Sequence, residues 1–163
     1  MHNPKAILGP FVQEGMKVVE PGPGMGFFTL ELARMVGSSG SVVAVDVQAK
    51  MLQGLLRRAH RAGLAGRIDA RLVSGNDTGM TDLCGTVDFV LAFAVVHEMP
   101  DGAAFFRDAA AALKPKGRLL LVEPTEVSAE EFLVTLTRAT DAGLQIADRP
   151  AVRSSNAAIL VKT

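Results

Sequence analysis

The chain has 163 residues, 48% of them hydrophobic, and a mean hydropathy of +0.27, enough for one domain with a core of its own. Lys plus Arg and Asp plus Glu both number 17, and Trp and Tyr are absent, so the basic excess and stacking surfaces of a nucleic-acid binder are missing. A single cysteine, Cys84, excludes an internal disulfide and a Cys-rich metal site, and reads as a small buried hydrophobe of a protein in a reducing, cytoplasmic compartment. The first residues carry no apolar signal region, and the longest apolar run, Phe89 to Val96, is too short to span a bilayer.

In chain order, strand and helix patterns alternate. Met16 to Glu20 is a short β-branched strand ending in an acid, and Phe27 to Val36 has helical apolar spacing that stops at the Gly37–Gly40 loop. Ser41 to Asp46 is a second strand, also ending in an acid. Gln48 to Ala62 reads as a helix with Met51, Leu52, Leu55 and Leu56 on one face, closed by Gly63. Ile68 to Val73 is a third strand, and Thr78 to Leu83 a short helical turn. Val87 to Phe93 is a fourth strand with the continuous apolar run of burial on both faces. Asp101 caps a helix over Gly102 to Leu113, and Lys114 to Gly117 is a turn before a fifth strand at Arg118 to Val122. Ser128 caps a helix over Ala129 to Asp141, with Glu131 completing a capping box. Gln145 to Arg149 and Ala157 to Val161 are closing strands with no helix between them, so they pair antiparallel. The pattern implies an α/β, doubly wound, Rossmann-like seven-stranded sheet, mostly parallel with an antiparallel last strand, in one domain over residues 1–163.

Chemistry concentrates after the strands, where open α/β sheets bind ligands. Glu20-Pro21-Gly22-Pro23-Gly24-Met25-Gly26 follows the first strand. Its glycines allow a tight turn and close backbone approach, and the helix after them offers free N–H groups. Gly22, Gly24 and Gly26 are spaced G-x-G-x-G, with Phe27 in the sixth position, so the dinucleotide fingerprint G-x-G-x-x-G fails. Glu20 suits a cationic ligand better than a diphosphate. S-adenosylmethionine carries an ammonium and a sulfonium, so a carboxylate there makes electrostatic sense. Asp46 comes 20 residues after Gly26 and fits two vicinal ribose hydroxyls. Asn76 and Asp77 follow the third strand and fit an adenine amino group. Phe93, Ala94 and Val96 offer an apolar wall.

These residues, with the segments VDFVLAFAVVHEMPD and LKPKGRLLLVEP in matching order and spacing, resemble the class I S-adenosylmethionine-dependent methyltransferases from about Gly15 to Thr163. The resemblance implies that Glu20 and the loop at Gly22, Gly24 and Gly26 hold the methionine part of the cofactor. It implies that Asp46 and Val47 hold the ribose end, that Asn76 and Asp77 frame the adenine, and that Phe93 lines the site. The family commonly has an acid directly after the third-strand glycine; here that position is Asn76 and the acid falls one later.

Each residue has a plainer role beside this one. The glycines can serve an ordinary strand–helix turn, Asp46 a helix cap, and Asn76-Asp77 turn chemistry. His97 is a candidate general base after the fourth strand, with Glu98 orienting it or binding a cation. The plainer alternative is a His packed on the cofactor wall beside a solvated Glu. Glu123 and the following Pro124-Thr125-Glu126 are secondary substrate candidates, and Arg57, Arg58, His60 and Arg61 read as a wet helix face. Methyl transfer needs chiefly positioning and water exclusion, so no universal catalytic residue is expected. About fifteen residues precede the first strand, and connections after the fifth strand and before the last pair are short, so no lid insertion is expected. A homo-oligomeric partner or the acceptor itself would then complete the acceptor pocket. Arsenite is disfavoured as acceptor because soft thiolate ligands are needed and Cys84 stands alone. The functional expectation is methyl transfer to a small molecule; the alternative is a non-catalytic binding or scaffold protein of the same fold.

Overall fold

The computed structural model describes all 163 residues, in two compact units, residues 1–79 and 80–163. The first unit runs α1 (Pro4–Leu8), β1 (Lys17–Pro21), α2 (Thr29–Val36), β2 (Ser41–Asp46), α3 (Ala49–Arg61), a 3-10 turn at Ala65–Arg67 and β3 (Ile68–Leu72). Its strands lie in the order β3-β2-β1, all parallel, with Val19 opposite Val43 and Ala44 opposite Ala70. Parallel neighbours require crossover connections, and α2 and α3 supply them. Val18, Val19 and Val42 to Val45 are buried, whereas the edge strand β3 exposes Asp69 and Leu72. Helix α3 buries Leu52, Leu55 and Ala59; Leu52 and Leu55 pack with Ala44 beside Leu30, Ile68 and Ala70. Met51 is only half-buried and Leu56 is exposed, so the buried face is narrower than expected and is continued by Ala59.

The second unit runs β4 (Val87–Phe93), a 3-10 turn at Val96–Glu98, α4 (Gly102–Ala112), β5 (Leu113–Pro124), α5 (Ala129–Asp141), β6 (Leu144–Asp148) and β7 (Ser155–Lys162). The order is β4-β5-β7-β6, with β4 and β5 parallel and β7 antiparallel to both its neighbours. Strand β4 is buried on both faces, as its continuous apolar run implies. Phe105, Phe106 and Phe132, from α4 and α5, are fully buried. Asp101 caps α4 through Ala104 N–H at 2.9 Å, and Ser128 and Glu131 form the expected capping box. The seven strands make the mixed, mostly parallel sheet of a Rossmann-like α/β fold, with the antiparallel last strand expected from the missing helix.

Several local expectations shift. Helix α2 starts at Thr29 rather than Phe27, because residues 24–28 form turns that bring Gly26 N–H to Pro23 O. The expected Lys114–Gly117 turn is a bulge within β5: Leu113 pairs with Val87 and Arg118 with Phe89, and Lys116 takes φ +65°. The expected helical turn before β4 is a single hydrogen-bonded turn from Met80 O to Leu83 N. Cys84 is exposed, not buried; Met80 and Leu83 fill the interior positions of that loop instead. The five-residue α1, capped by Asn3 with Pro4 first, is too short to show a periodicity in the sequence.

Candidate functional site

Glu20 is the next-to-last residue of the buried run of β1 and is itself only 3% exposed. The loop after it turns the chain back so that Thr29, first residue of α2, donates its hydroxyl to Glu20 Oε2 at 2.5 Å. Burial pushes the Glu20 carboxyl from 4.5 up to about 7, while the Thr29 hydrogen bond pulls the other way; no cation offsets the burial. A buried carboxyl in this condition gains charge when a cation arrives beside it.

The loop after Glu20 depends on glycine conformations. Gly22, Gly24 and Gly26 have φ of +64°, +57° and +95°, a region that L side chains avoid. A Cβ at Gly26 would stand 2.5 Å from Leu55 Cδ1, so this glycine serves the packing of the loop on α3. A Cβ at Gly24 would meet nothing within 4 Å, so this glycine faces open space. The first turn of α2 has no side-chain cap, which leaves its N-terminus available to an anionic group.

Asp46 is half-buried at the end of β2, and its Oδ1 accepts the Gln48 N–H at 2.9 Å, so the turn role is real. A carboxylate has lone pairs on both oxygens, so Oδ2 can still take a sugar hydroxyl. Val47 beside it is 63% exposed. Asp77 Oδ1 accepts the Gly79 N–H at 2.8 Å, the turn chemistry anticipated, and Asn76 is exposed in the adjoining turn. Met25, Phe27 and Leu72 join Val47 as exposed large apolar side chains of the loop and the strand ends.

In the second unit, Phe93 is half-buried at the end of β4. The next residue, Ala94, sits at φ +54° with its N–H bonded to Val122 O at 2.7 Å. That left-handed step redirects the chain into the turn carrying His97. Glu123, at the end of β5 and fully buried, accepts the Val96 N–H on Oε1 at 3.0 Å and meets His97 Nδ1 with Oε2. His97 keeps 33% of its side chain exposed. Glu98 is 71% exposed and approaches His97 Nε2 only to 3.8 Å. The carboxylate that orients His97 is therefore Glu123 and not its sequence neighbour. No helix in the chain is long and apolar enough to cross a membrane, and no group of three or more His, Cys, Asp or Glu is placed to hold a metal ion.

A methyltransferase-domain family model matches residues 12–152. The chain belongs to the class I S-adenosylmethionine-dependent methyltransferases. It is 30% identical to the ubiquinone/menaquinone biosynthesis C-methyltransferase UbiE of Pasteurella multocida over 112 residues, 69% of this chain and 41% of that one. It is 32% identical to an arsenite methyltransferase of Aquipseudomonas alcaligenes over 119 residues, 69% of this chain and 34% of that protein. The chain thus spans less than half the length of these curated relatives. Among solved structures, a SAM-dependent methyltransferase from Aquifex aeolicus matches at TM-score 0.84 and 26% identity, covering 99% of this chain and 90% of its own. The family's cofactor is S-adenosylmethionine. The chain's residues suit it: a buried acid without a cation, a glycine open to a ligand, an uncapped helix end and a second acid with a lone-pair oxygen to spare.

Sequence reasoning missed two pairings. Glu20 with Thr29 depends on how the loop folds back, although a hydroxyl-bearing residue opening a helix after a glycine loop was a visible signal. Glu123 with His97 depends on the strand register and had no local signal.

Proposed function

We propose that this methyltransferase domain transfers a methyl group from S-adenosylmethionine to a small-molecule acceptor. The observation that carries the reading is Glu20, buried, held near 7 and lacking a cationic partner, at the mouth of a glycine loop. In this reading Glu20 receives the ammonium of the amino-acid part, and the α2 N-terminus with the backbone at Gly22 and Gly24 receives its carboxylate. Gly26 keeps the loop against α3. Asp46 Oδ2 takes ribose hydroxyls, Val47 covers the adenine, and Asn76 and Asp77 meet its amino edge. The bound group supplies an electrophilic methyl on a sulfonium. The chain's part is to orient the acceptor, exclude water and move one proton, the last assigned to His97 with Glu98 at the rim.

The acceptor side is short of cover within its own unit: the β5–α5 and β6–β7 connections are brief. A second copy of the chain, or the acceptor itself, supplies that cover. Arsenite remains a poor candidate here, since Cys84 is the one thiol and it is exposed.

Titration calorimetry with S-adenosylmethionine, S-adenosylhomocysteine and NAD tests the reading. Both adenosyl compounds should bind and NAD should not; failure of both to bind would overturn it. Asp46→Ala should weaken S-adenosylhomocysteine by roughly tenfold, the value of one good hydrogen bond to a charged group. Unchanged affinity would remove Asp46 from the site.

A further inference from the structure

Glu123 is fully buried, and both its oxygens are occupied by donors of the same turn: Val96 N–H on Oε1 and the His97 ring on Oε2. An ionised carboxylate only accepts hydrogen bonds, so the ring nitrogen facing it, Nδ1, is the one that carries the proton. Neutral imidazole has one proton to place. With Nδ1 protonated, Nε2 holds a lone pair, and it lies on the side of the ring away from Glu123. Glu98 Oε1 stands 3.8 Å from Nε2, too far for a hydrogen bond, so that nitrogen is not taken by its sequence neighbour. Ala94, held in a left-handed conformation just before this turn, is strain of the kind that accumulates at working sites.

We propose that Glu123 and His97 form a proton-accepting pair whose Nε2 serves an acceptor with a weakly acidic O–H group, a phenol or an enol. His97 is the catalytic residue and Glu123 its positioning residue. The inference rests on the methyltransferase reading above and names the acceptor class of that same reaction. The choice of oxygen follows from when the proton must leave. A neutral amine attacks with its lone pair and sheds its proton afterwards, so it needs no base in the attack. A hydroxyl that attacks without losing its proton forms a strongly acidic oxonium, so a base taking the proton during attack lowers the barrier. Imidazole is matched to hydroxyls of pKa about 10, the phenol value, and poorly matched to aliphatic alcohols. In the step, the acceptor O–H proton moves to His97 Nε2. The acceptor's freed electron pair forms the bond to the methyl carbon, and the carbon–sulfur bond breaks with its pair left on sulfur. The products are methylated acceptor, S-adenosylhomocysteine and an imidazolium flanked by Glu123 and Glu98. That imidazolium returns its proton to water.

Glu123→Gln separates this role from structural support. The Gln carbonyl must take the Val96 N–H, because an amide NH2 cannot accept it. The NH2 then faces Nδ1, which must become the acceptor, and the ring proton moves to Nε2. The shape and the number of hydrogen bonds are kept while the base is lost. The experiment uses the full chain with 15N-labelled histidine at pH 8, the His97 signals being assigned by their loss in His97→Gln. Wild type without cofactor should show the proton on Nδ1, and Glu123→Gln should show it on Nε2. S-adenosylhomocysteine affinity in the variant should stay within about twofold. Catechol titrated into the protein saturated with S-adenosylhomocysteine should shift the Nε2 resonance of wild type, where Nε2 accepts the hydroxyl proton. A wild-type proton on Nε2, or an unchanged tautomer in Glu123→Gln, would overturn the pair. A wild-type Nε2 resonance unmoved by millimolar catechol would overturn the hydroxyl assignment. If S-adenosylhomocysteine itself fails to bind, the cofactor reading falls, while the tautomer of the free protein still decides the pair.

Discussion

Glu20 and Glu123 are both buried acids at the carboxyl ends of strands, one in each unit, and they are satisfied differently. Glu20 has a hydroxyl beside it, and burial drives its carboxyl up to about 7. Glu123 has a backbone N–H and an imidazole, one partner for each oxygen, both supplied by the turn after β4. The first acid has no cation beside it; the second is already paired with a side chain, His97, that stays partly exposed. Two buried acids of the same residue type and strand position thus differ in their internal partners, and the proposed roles follow that difference.

The largest expected effect that sharpens this contrast is on stability. Glu20 has a folded-state value raised above its unfolded one, so the folded state holds the extra proton between about 4.5 and 7. Its stability term is fully present below 4.5 and is lost as pH rises through 7. At pH 8 ionised Glu20 thus costs up to about 3 kcal/mol relative to a neutral isostere. Glu20→Gln should raise the unfolding free energy at pH 8 by up to that amount and flatten its decline between pH 4.5 and 7 in denaturant titrations. Glu123→Gln should change stability in the opposite direction, by about 1 kcal/mol, because it weakens a charge-assisted bond. Equal signs would erase the contrast.

Affinity comes next. Glu20→Gln should weaken S-adenosylhomocysteine by about 10- to 100-fold in calorimetry, the loss of a charge-assisted hydrogen bond of about 1.5–3 kcal/mol. An affinity within twofold of wild type would mean that Glu20 is an ordinary buried acid. The smallest effect concerns two of the left-handed steps, Gly24 and Ala94. Gly24→Ala meets no atom but must hold φ +57°, a cost of about 1 kcal/mol, and should also impair cofactor binding. Ala94→Gly relieves a similar strain at φ +54° and should stabilise the protein by up to about 1 kcal/mol in thermal unfolding. Destabilisation by Ala94→Gly would show that the position is not strained.

Much of the fold was legible because buried parallel strands leave unbroken apolar runs: Ser41 to Asp46 and Val87 to Phe93 match the structure residue for residue. Capping chemistry located α4 and α5, since Asp101 and Ser128 act on residues only three positions away. The start of α2 was misjudged because turns and helices share apolar spacing, and only hydrogen bonding shows where one becomes the other. The loop, its glycines and both strand-end acids were visible as a constellation. The partner of His97 was not. The β4–β5 register sets Phe93 opposite Val122, and so brings Glu123 to the turn after β4 from 26 residues away. No spacing within one element encodes a contact of that kind, and the adjacent Glu98 drew the role instead.

The central claim is that Glu20 is the cofactor's cation partner, and proton release on binding tests it most directly. At pH 6 a carboxyl held at about 7 is mostly protonated, and it must ionise to pair with an ammonium. Calorimetry of S-adenosylhomocysteine binding at pH 6, in two buffers of different ionisation enthalpy, should report release of nearly one proton, falling toward zero at pH 8 and absent in Glu20→Gln. Tight binding to the wild type at pH 6 with no proton released would contradict the account.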